Sequence, residues 1–204
     1  MSWRQVNAVS ATAFIVGGSL FALGAALAQA DVGGPRLAGT VYLVGGAFFS
    51  TGGAAGVRAA RHDPALAQLG AMVLFVGTLV FAINLLDSFL GDLTPAQVDR
   101  LVWSPDMIGC ALFLVSGHLA MVNISHTWLP CWRPQQLDWW VVAINQLGSV
   151  LFMVSAVASF VRADGDMIAI GIANWGTLTG ALCFAVAGVL QEFERPPPSG
   201  SPSG

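Results

Sequence analysis

The sequence predicts an all-α polytopic bundle of six transmembrane helices, arranged as three pseudo-repeated helix hairpins. Three observations lead there. The composition suits a chain dissolved in lipid, the charges divide it into six long apolar runs, and most of those runs share a pattern of small residues around one phenylalanine.

Hydrophobic residues make up 55% of the 204 residues and charged residues only 9%, against roughly 25% charged in a soluble domain. Eight Arg, no Lys and eleven acids leave a formal net charge of −3. That balance is small and of the wrong sign for a phosphate backbone, so no nucleic-acid partner is expected. Gly is frequent, at 24 residues, as in membrane helices, where it lets backbones approach closely. Cys110, Cys131 and Cys183 show neither CxxC nor metal-ligand spacing. They point to no disulfide framework and no zinc site.

The uncharged runs are 5–30, 37–57, 64–86, 107–132, 139–161 and 167–191. About 20 helical residues cross the hydrocarbon core at ~1.5 Å each, and none of the runs alternates as a membrane β-strand would. The expected helices are about 7–29, 37–57, 66–88, 106–126, 138–161 and 167–191. The first run is longer than the apolar core of a secretory signal, usually ~7–15 residues, and reads as helix 1. Thr94-Pro95 is an N-cap followed by Pro at the first helical position, so 95–103 reads as a short interfacial helix. Trp128, Trp132, Trp139 and Trp140 flank the fourth connection as an interfacial aromatic belt, with Pro130 and Pro134 interrupting any helix. The Pro/Ser/Gly tail 196–204 reads as disordered.

Six spans put both termini on one side, together with Arg4, Arg58, Arg61, Arg133 and Arg195; the other side holds Arg36, Arg100 and Arg162. It also holds Asp31, Asp87, Asp92, Asp99, Asp106, Asp164 and Asp166. The positive-inside rule then places both termini in the cytoplasm. The absence of Lys alongside abundant Ala, Gly and Arg fits a GC-rich bacterial genome, hence a bacterial cytoplasmic membrane.

The shared pattern is a small residue, Phe four on, and small residues seven and eight on. It occurs at Gly17/Phe21, Gly45/Phe49, Gly109/Phe113, Gly148/Phe152 and Gly180/Phe184, with a looser version in helix 3 at Ala71, Phe75 and Thr78. At ~100° per residue these positions fall on one face. Each helix thus carries a smooth stripe bearing one aromatic knob, a code for packing helices in lipid. Helices 1–2, 3–4 and 5–6 pair into hairpins that start on the same side, unlike the inverted repeats of many transporters.

The stretch from Trp139-Trp140 through Asn145-Gln146-Leu147-Gly148-Ser149-Val150-Leu151-Phe152 to Gly180-Ala181-Leu182-Cys183-Phe184 resembles the YrhK-like membrane domain of bacteria. It covers about a quarter of the chain. The resemblance implies an integral membrane location and supplies no activity.

Ionisable groups within a bilayer are costly, so each is a functional candidate. His118, midway along helix 4, is a candidate haem ligand or proton-relay group, set against a neutral histidine bonded to a carbonyl or an Asn. Asn84 and Asp87, one turn apart near the outer end of helix 3, are a candidate cation or proton site, set against an interfacial carboxylate facing headgroups. Asn145 and Asn174 read as interhelical glue. There is no P-loop, HExxH or GxSxG motif, and no cofactor is expected.

Composition and packing pattern favour a non-enzymatic structural or accessory subunit. Its partners would be the bilayer and a second membrane protein or copy of itself, met through 91–106 or 126–140. The alternative is a transporter or channel for a small or lipid-like solute. A third class, a haem redox protein, rests on His118 alone.

Overall fold

A computed structural model describes residues 1–128 and 132–195. The predicted Pro/Ser/Gly tail, Pro130 and Cys131 lie outside the described residues. The helices are α1 (Trp3–Gln29), α2 (Gly34–Ala59), α3 (Ala65–Asp87), the short α4 (Pro95–Val98), α5 (Ser104–Ser125), α6 (Leu137–Ala158) and α7 (Ile170–Gln191). The described residues contain no β-strand beyond one isolated bridge. Six helices are long and apolar enough to cross a membrane. At ~1.5 Å per residue the 22 residues of α5, α6 and α7 reach about 33 Å, matching a hydrocarbon core of ~30 Å.

Local sequence explains the helix ends. Ser2 and Gln5 form a reciprocal capping box at the start of α1, and Thr94 and Gln97 form another at α4, ahead of Pro95. The α1–α2 turn runs through Asp31, Gly33 and Gly34, all at positive φ, a region glycine enters without strain. His126 closes α5 in the left-handed region.

Helix ends shift by up to four residues from the sequence reading, and two of the differences have a physical reason in the structure. The interfacial segment is not separate: α4 passes through a π-helical turn, Asp99–Trp103, directly into α5. Ser104 Oγ donates to the Asp99 carbonyl at 2.7 Å and satisfies an oxygen in that turn. Helix α7 begins at Ile170 because the preceding chain doubles back on α6. Val161 bridges Met167, and the Ile168 and Ala169 amides donate to the carbonyls of Phe160 and Ala158.

The six long helices close a ring in the order α1, α2, α3, α5, α6, α7, with α7 returning to α1. Its outer surface is apolar, through exposed side chains such as Val76, Ile83, Val115, Leu147, Val154 and Val186. The interior is mostly Gly, Ala, Ser and Phe, with a few other side chains such as Leu85, Met121 and Asn84. This arrangement suits lipid, where interhelical attraction comes from close contact between small residues.

One reciprocal contact holds each of three helix pairs. A methyl group on Gly17 would stand 2.7 Å from Phe49, and one on Gly45 would stand 2.9 Å from Phe21. Between α3 and α5, Gly77 faces Phe113 at 2.9 Å and Gly109 faces Phe81 at 3.2 Å. Between α6 and α7, Gly148 faces Phe184 at 3.0 Å and Gly180 faces Phe152 at 2.8 Å. In each pair the ring of one helix fills the space that the partner's glycine leaves open.

Helix 3 therefore uses Gly77 and Phe81, not Ala71 and Phe75. Phe75 packs instead against Gly53 at the α2–α3 seam. The reason is size, since only a glycine at 77 admits the Phe113 ring.

Each pair also carries one serine-to-carbonyl bond between helices. Ser10 Oγ donates to Gly52 O at 2.9 Å, Ser116 Oγ to Gly70 O at 2.8 Å and Ser155 Oγ to Ala173 O at 2.7 Å. In every case the two residues lie seven positions from the paired glycines, one before and one after. The rings of Phe21, Phe49, Phe81, Phe113, Phe152 and Phe184 converge in a layer on the bundle axis, near mid-length of the helices. Their neighbouring centroids lie 5.2 to 6.5 Å apart. Edge-to-face and offset pairs at such distances are attractive.

Candidate functional site

Above the phenylalanine layer, at the end away from the termini, the helices part. A chamber of about 240 Å³ is floored by Phe21 and Phe81 and walled by Asn84, Asp106, Ser155, Ser159, Asn174 and Thr177. It meets a wider vestibule of about 580 Å³ at Tyr42, Ser88, Met167 and Asn174, which line both. The helix period assembles the walls. Asp106 and Cys110 share a face of α5 at i and i+4, Ser155 and Ser159 share one of α6, and Asn174 and Thr177 sit at i and i+3 on α7.

The roof is the α4–α5 turn, which contributes Val98, Val102 and Trp103. Trp103 Nε1 donates to Ala156 O at 2.8 Å, and its ring meets Phe160 edge-on with centroids 5.0 Å apart. Asp99 Oδ1 accepts from the Val161 amide at 3.1 Å. These contacts fasten the roof to the α6–α7 connection.

Asp106 is the chemical centre of the chamber. Its Oδ1 accepts from Asn84 Nδ2 at 3.4 Å and from the Cys110 thiol at 3.8 Å, both long contacts. No Arg or His pairs with it among the described residues. Ser155 and Thr177 are 2.7 Å apart and occupy each other, and Ser159 donates to Ala156 O. The Tyr42 hydroxyl and the Asn174 amide make no side-chain hydrogen bond among the described residues and face the throat. At the mouth, Asp31 and Arg36 carry opposite charges. The chamber thus offers one weakly engaged carboxyl, two free polar groups and aromatic walls.

The polar candidates named from the sequence separate here. Asn84 is buried and turned to the chamber, bonding Asp106 from α5. Asp87, its expected companion, is half-buried, lines neither cavity and makes no side-chain bond among the described residues. His118 sits on the exposed face of α5 without a hydrogen bond to a carbonyl or an Asn. His62 and His126 lie at helix ends. Among the described residues no three His, Cys, Asp or Glu side chains converge as metal ligands. Asn174 serves the throat, and the Asn145 side chain bonds nothing among the described residues.

Sequence reasoning misses Asp106 and Tyr42. Asp106 reads as an outer-side charge at the first residue of the expected 106–126 helix, whereas the helix begins at Ser104 and carries Pro105 and Asp106 in its first turn. That signal places it inside a helix, at the depth of Asn84 in the antiparallel neighbour. Tyr42 is the chain's one tyrosine, and that singularity is the only mark it carries in the sequence.

Comparison with protein-family models, curated proteins and solved structures finds no match to this chain.

Proposed function

We propose that this chain is a non-enzymatic multi-pass membrane protein that binds a small solute in the crevice, in the manner of a transporter. The single observation that carries this is an open polar chamber containing Asp106 at one end of the bundle, floored by Phe21 and Phe81 of the ring layer and adjoining a second, larger cavity. A protein selected for packing alone has no use for an unpaired acid at this depth, where charge is expensive. That shifts the balance from the accessory-subunit reading, which composition favoured, to solute binding. With the termini in the cytoplasm of a bacterial cell, the crevice opens outward. We also read the three hairpins as copies of one unit; the recurring Gly/Phe contact and the serine-to-carbonyl bond support that reading.

Thiol labelling tests the crevice. In a background with Cys131 and Cys183 changed to Ser, Ser159→Cys places a thiol in the chamber and Ser149→Cys places one at a buried site on the other side of Phe152. A small neutral water-borne methanethiosulfonate should modify the first and spare the second. A stabilising solute from a panel of small amphiphiles should then protect Ser159→Cys. An unreactive Ser159→Cys, or reactivity that no solute blocks, would overturn the proposal.

A further inference from the structure

We infer that the solute is a small organic cation, an ammonium compound held between the Asp106 carboxyl and the rings of Phe21, Phe81, Tyr42 and Trp103. This rests on the crevice being the solute site and specifies what it takes.

Charge points the same way from three sides. Asp106 is the one acid lining the chamber, and no Arg, Lys or His among the described residues lines it. The cation along the crevice, Arg36, is at the mouth, where Asp31 offsets it. An anion entering would meet like charge, whereas a cation brings the counter-charge that the half-buried carboxylate otherwise lacks. Asn84 and Cys110 contribute only long contacts, so Asp106 retains capacity to accept.

The walls select the kind of cation. Phe21 packs against Tyr42 with centroids 5.4 Å apart and against Phe81 at 5.6 Å, and both partners line the same chamber. Trp103 completes the aromatic set, held by its bond to Ala156 O. Ring faces attract a cation within about 6 Å, and clusters of rings suit ammonium groups in particular. A hydrated metal ion would instead need several oxygen ligands in place of water. Here the lining supplies one carboxylate, with no second Asp or Glu beside it. The free Tyr42 and Asn174 groups at the throat can accept hydrogen bonds from the remaining N–H groups or polar tail of an amine. A chamber of about 240 Å³ equals about eight waters at ~30 Å³ each, room for an ammonium bearing a few carbons.

The experiment compares modification rates of Ser159→Cys by trimethylammonium-ethyl and sulfonatoethyl methanethiosulfonates. Each rate is normalised to that of a free thiol in solution, at mildly alkaline pH and low salt. The cationic reagent should lead by about tenfold, as one poorly screened charge nearby produces. Asp106→Asn should bring the ratio near unity while the neutral reagent keeps its rate, and Asp106→Glu should restore the preference. With Asp106 intact, tetramethylammonium should protect Ser159→Cys where sodium and the neutral isostere tert-butanol do not. This last arm needs no Asp106 variant to fold. A ratio of one or below overturns the cation assignment, as does equal protection by tert-butanol or by sodium, while a reactive neutral reagent leaves the crevice standing. Failure of the neutral reagent itself removes the solute site.

Discussion

Replacing Gly148 with Ala tests the packing on which the whole bundle depends. The new methyl would stand 2.9 Å from Gly180 O, 3.0 Å from Cys183 Cβ and 3.0 Å from Phe184 Cδ2. Unstrained carbon contacts lie near 3.5–4.0 Å, so α6 and α7 must separate by roughly 0.5–1 Å, and a gap of that size forfeits a quarter to a half of each contact it opens. The nearest obstacle is a backbone oxygen in mid-helix, which no rotamer change can move. Overpacking of this kind costs about 1–3 kcal/mol. Alanine's higher helix propensity returns up to ~1 kcal/mol, leaving a net loss of up to ~2 kcal/mol.

Gly171→Ala is the matched control. It lies on α7, no atom is within 4 Å of its added methyl, and only the propensity gain of up to ~1 kcal/mol applies. The two variants should therefore differ by about 2 kcal/mol in reversible unfolding by SDS in mixed micelles, followed by tryptophan fluorescence. If Gly148→Ala proves as stable as Gly171→Ala, the contact is not a limiting one and the glycine-to-ring account of the fold fails.

Three further outcomes concern packing and one concerns pH. Gly180→Leu should sharply lower the yield of folded protein, because its methyl alone would already meet Phe152 at 2.8 Å. Arg162→Ala, at an exposed residue whose side chain bonds nothing among the described residues, should stay within about 0.5 kcal/mol of the parent in the same titration. Ser116→Ala removes a buried bond to Gly70 O and should cost about 0.6 kcal/mol, at most ~2, the range for interhelical bonds in membranes; a loss several times larger would mean the serine does more than join α3 to α5. Burial, reinforced by the charge of Asp138, pushes the Glu194 carboxyl from 4.5 up to about 7. The docked turn then holds a proton that the released turn gives up, so docking is strongest below about 4.5 and weakens as pH rises to about 7. Amide exchange at Glu192–Glu194, corrected for intrinsic rates, should show protection falling across that window and flat in Glu194→Gln; an unchanged slope in the variant would assign the effect elsewhere.

Much of the fold is legible in the sequence because membrane helices announce themselves. A run such as 167–191, free of charge and long enough to span, has few other stable states in lipid, since its backbone must satisfy its own hydrogen bonds. The stripe residues are readable for a related reason: Gly148 and Phe152 four apart lie on one face whatever that face meets. Helix 3 is ambiguous because two phenylalanines compete there. Phe75 and Phe81 both follow small residues by four, and only the partner ring of Phe113 distinguishes Gly77 from Ala71. Asp106 stands at the very start of the expected 106–126 helix, and nothing along that helix alone shows that it turns inward to meet Asn84.

Composition and periodicity by themselves determined a lipid-dwelling bundle of six helices with glycine-rich faces, because burial of backbone polarity and close contact of small residues are local requirements along one helix. Tertiary structure alone decided which glycine receives which ring, that α7 closes on α1, and that Asn84, Asp106, Tyr42 and Asn174 from four helices line one crevice. A side chain's neighbours across a helix interface depend on ring order and axial register. Both are set by the joint fit of six surfaces, which no single stretch of sequence encodes.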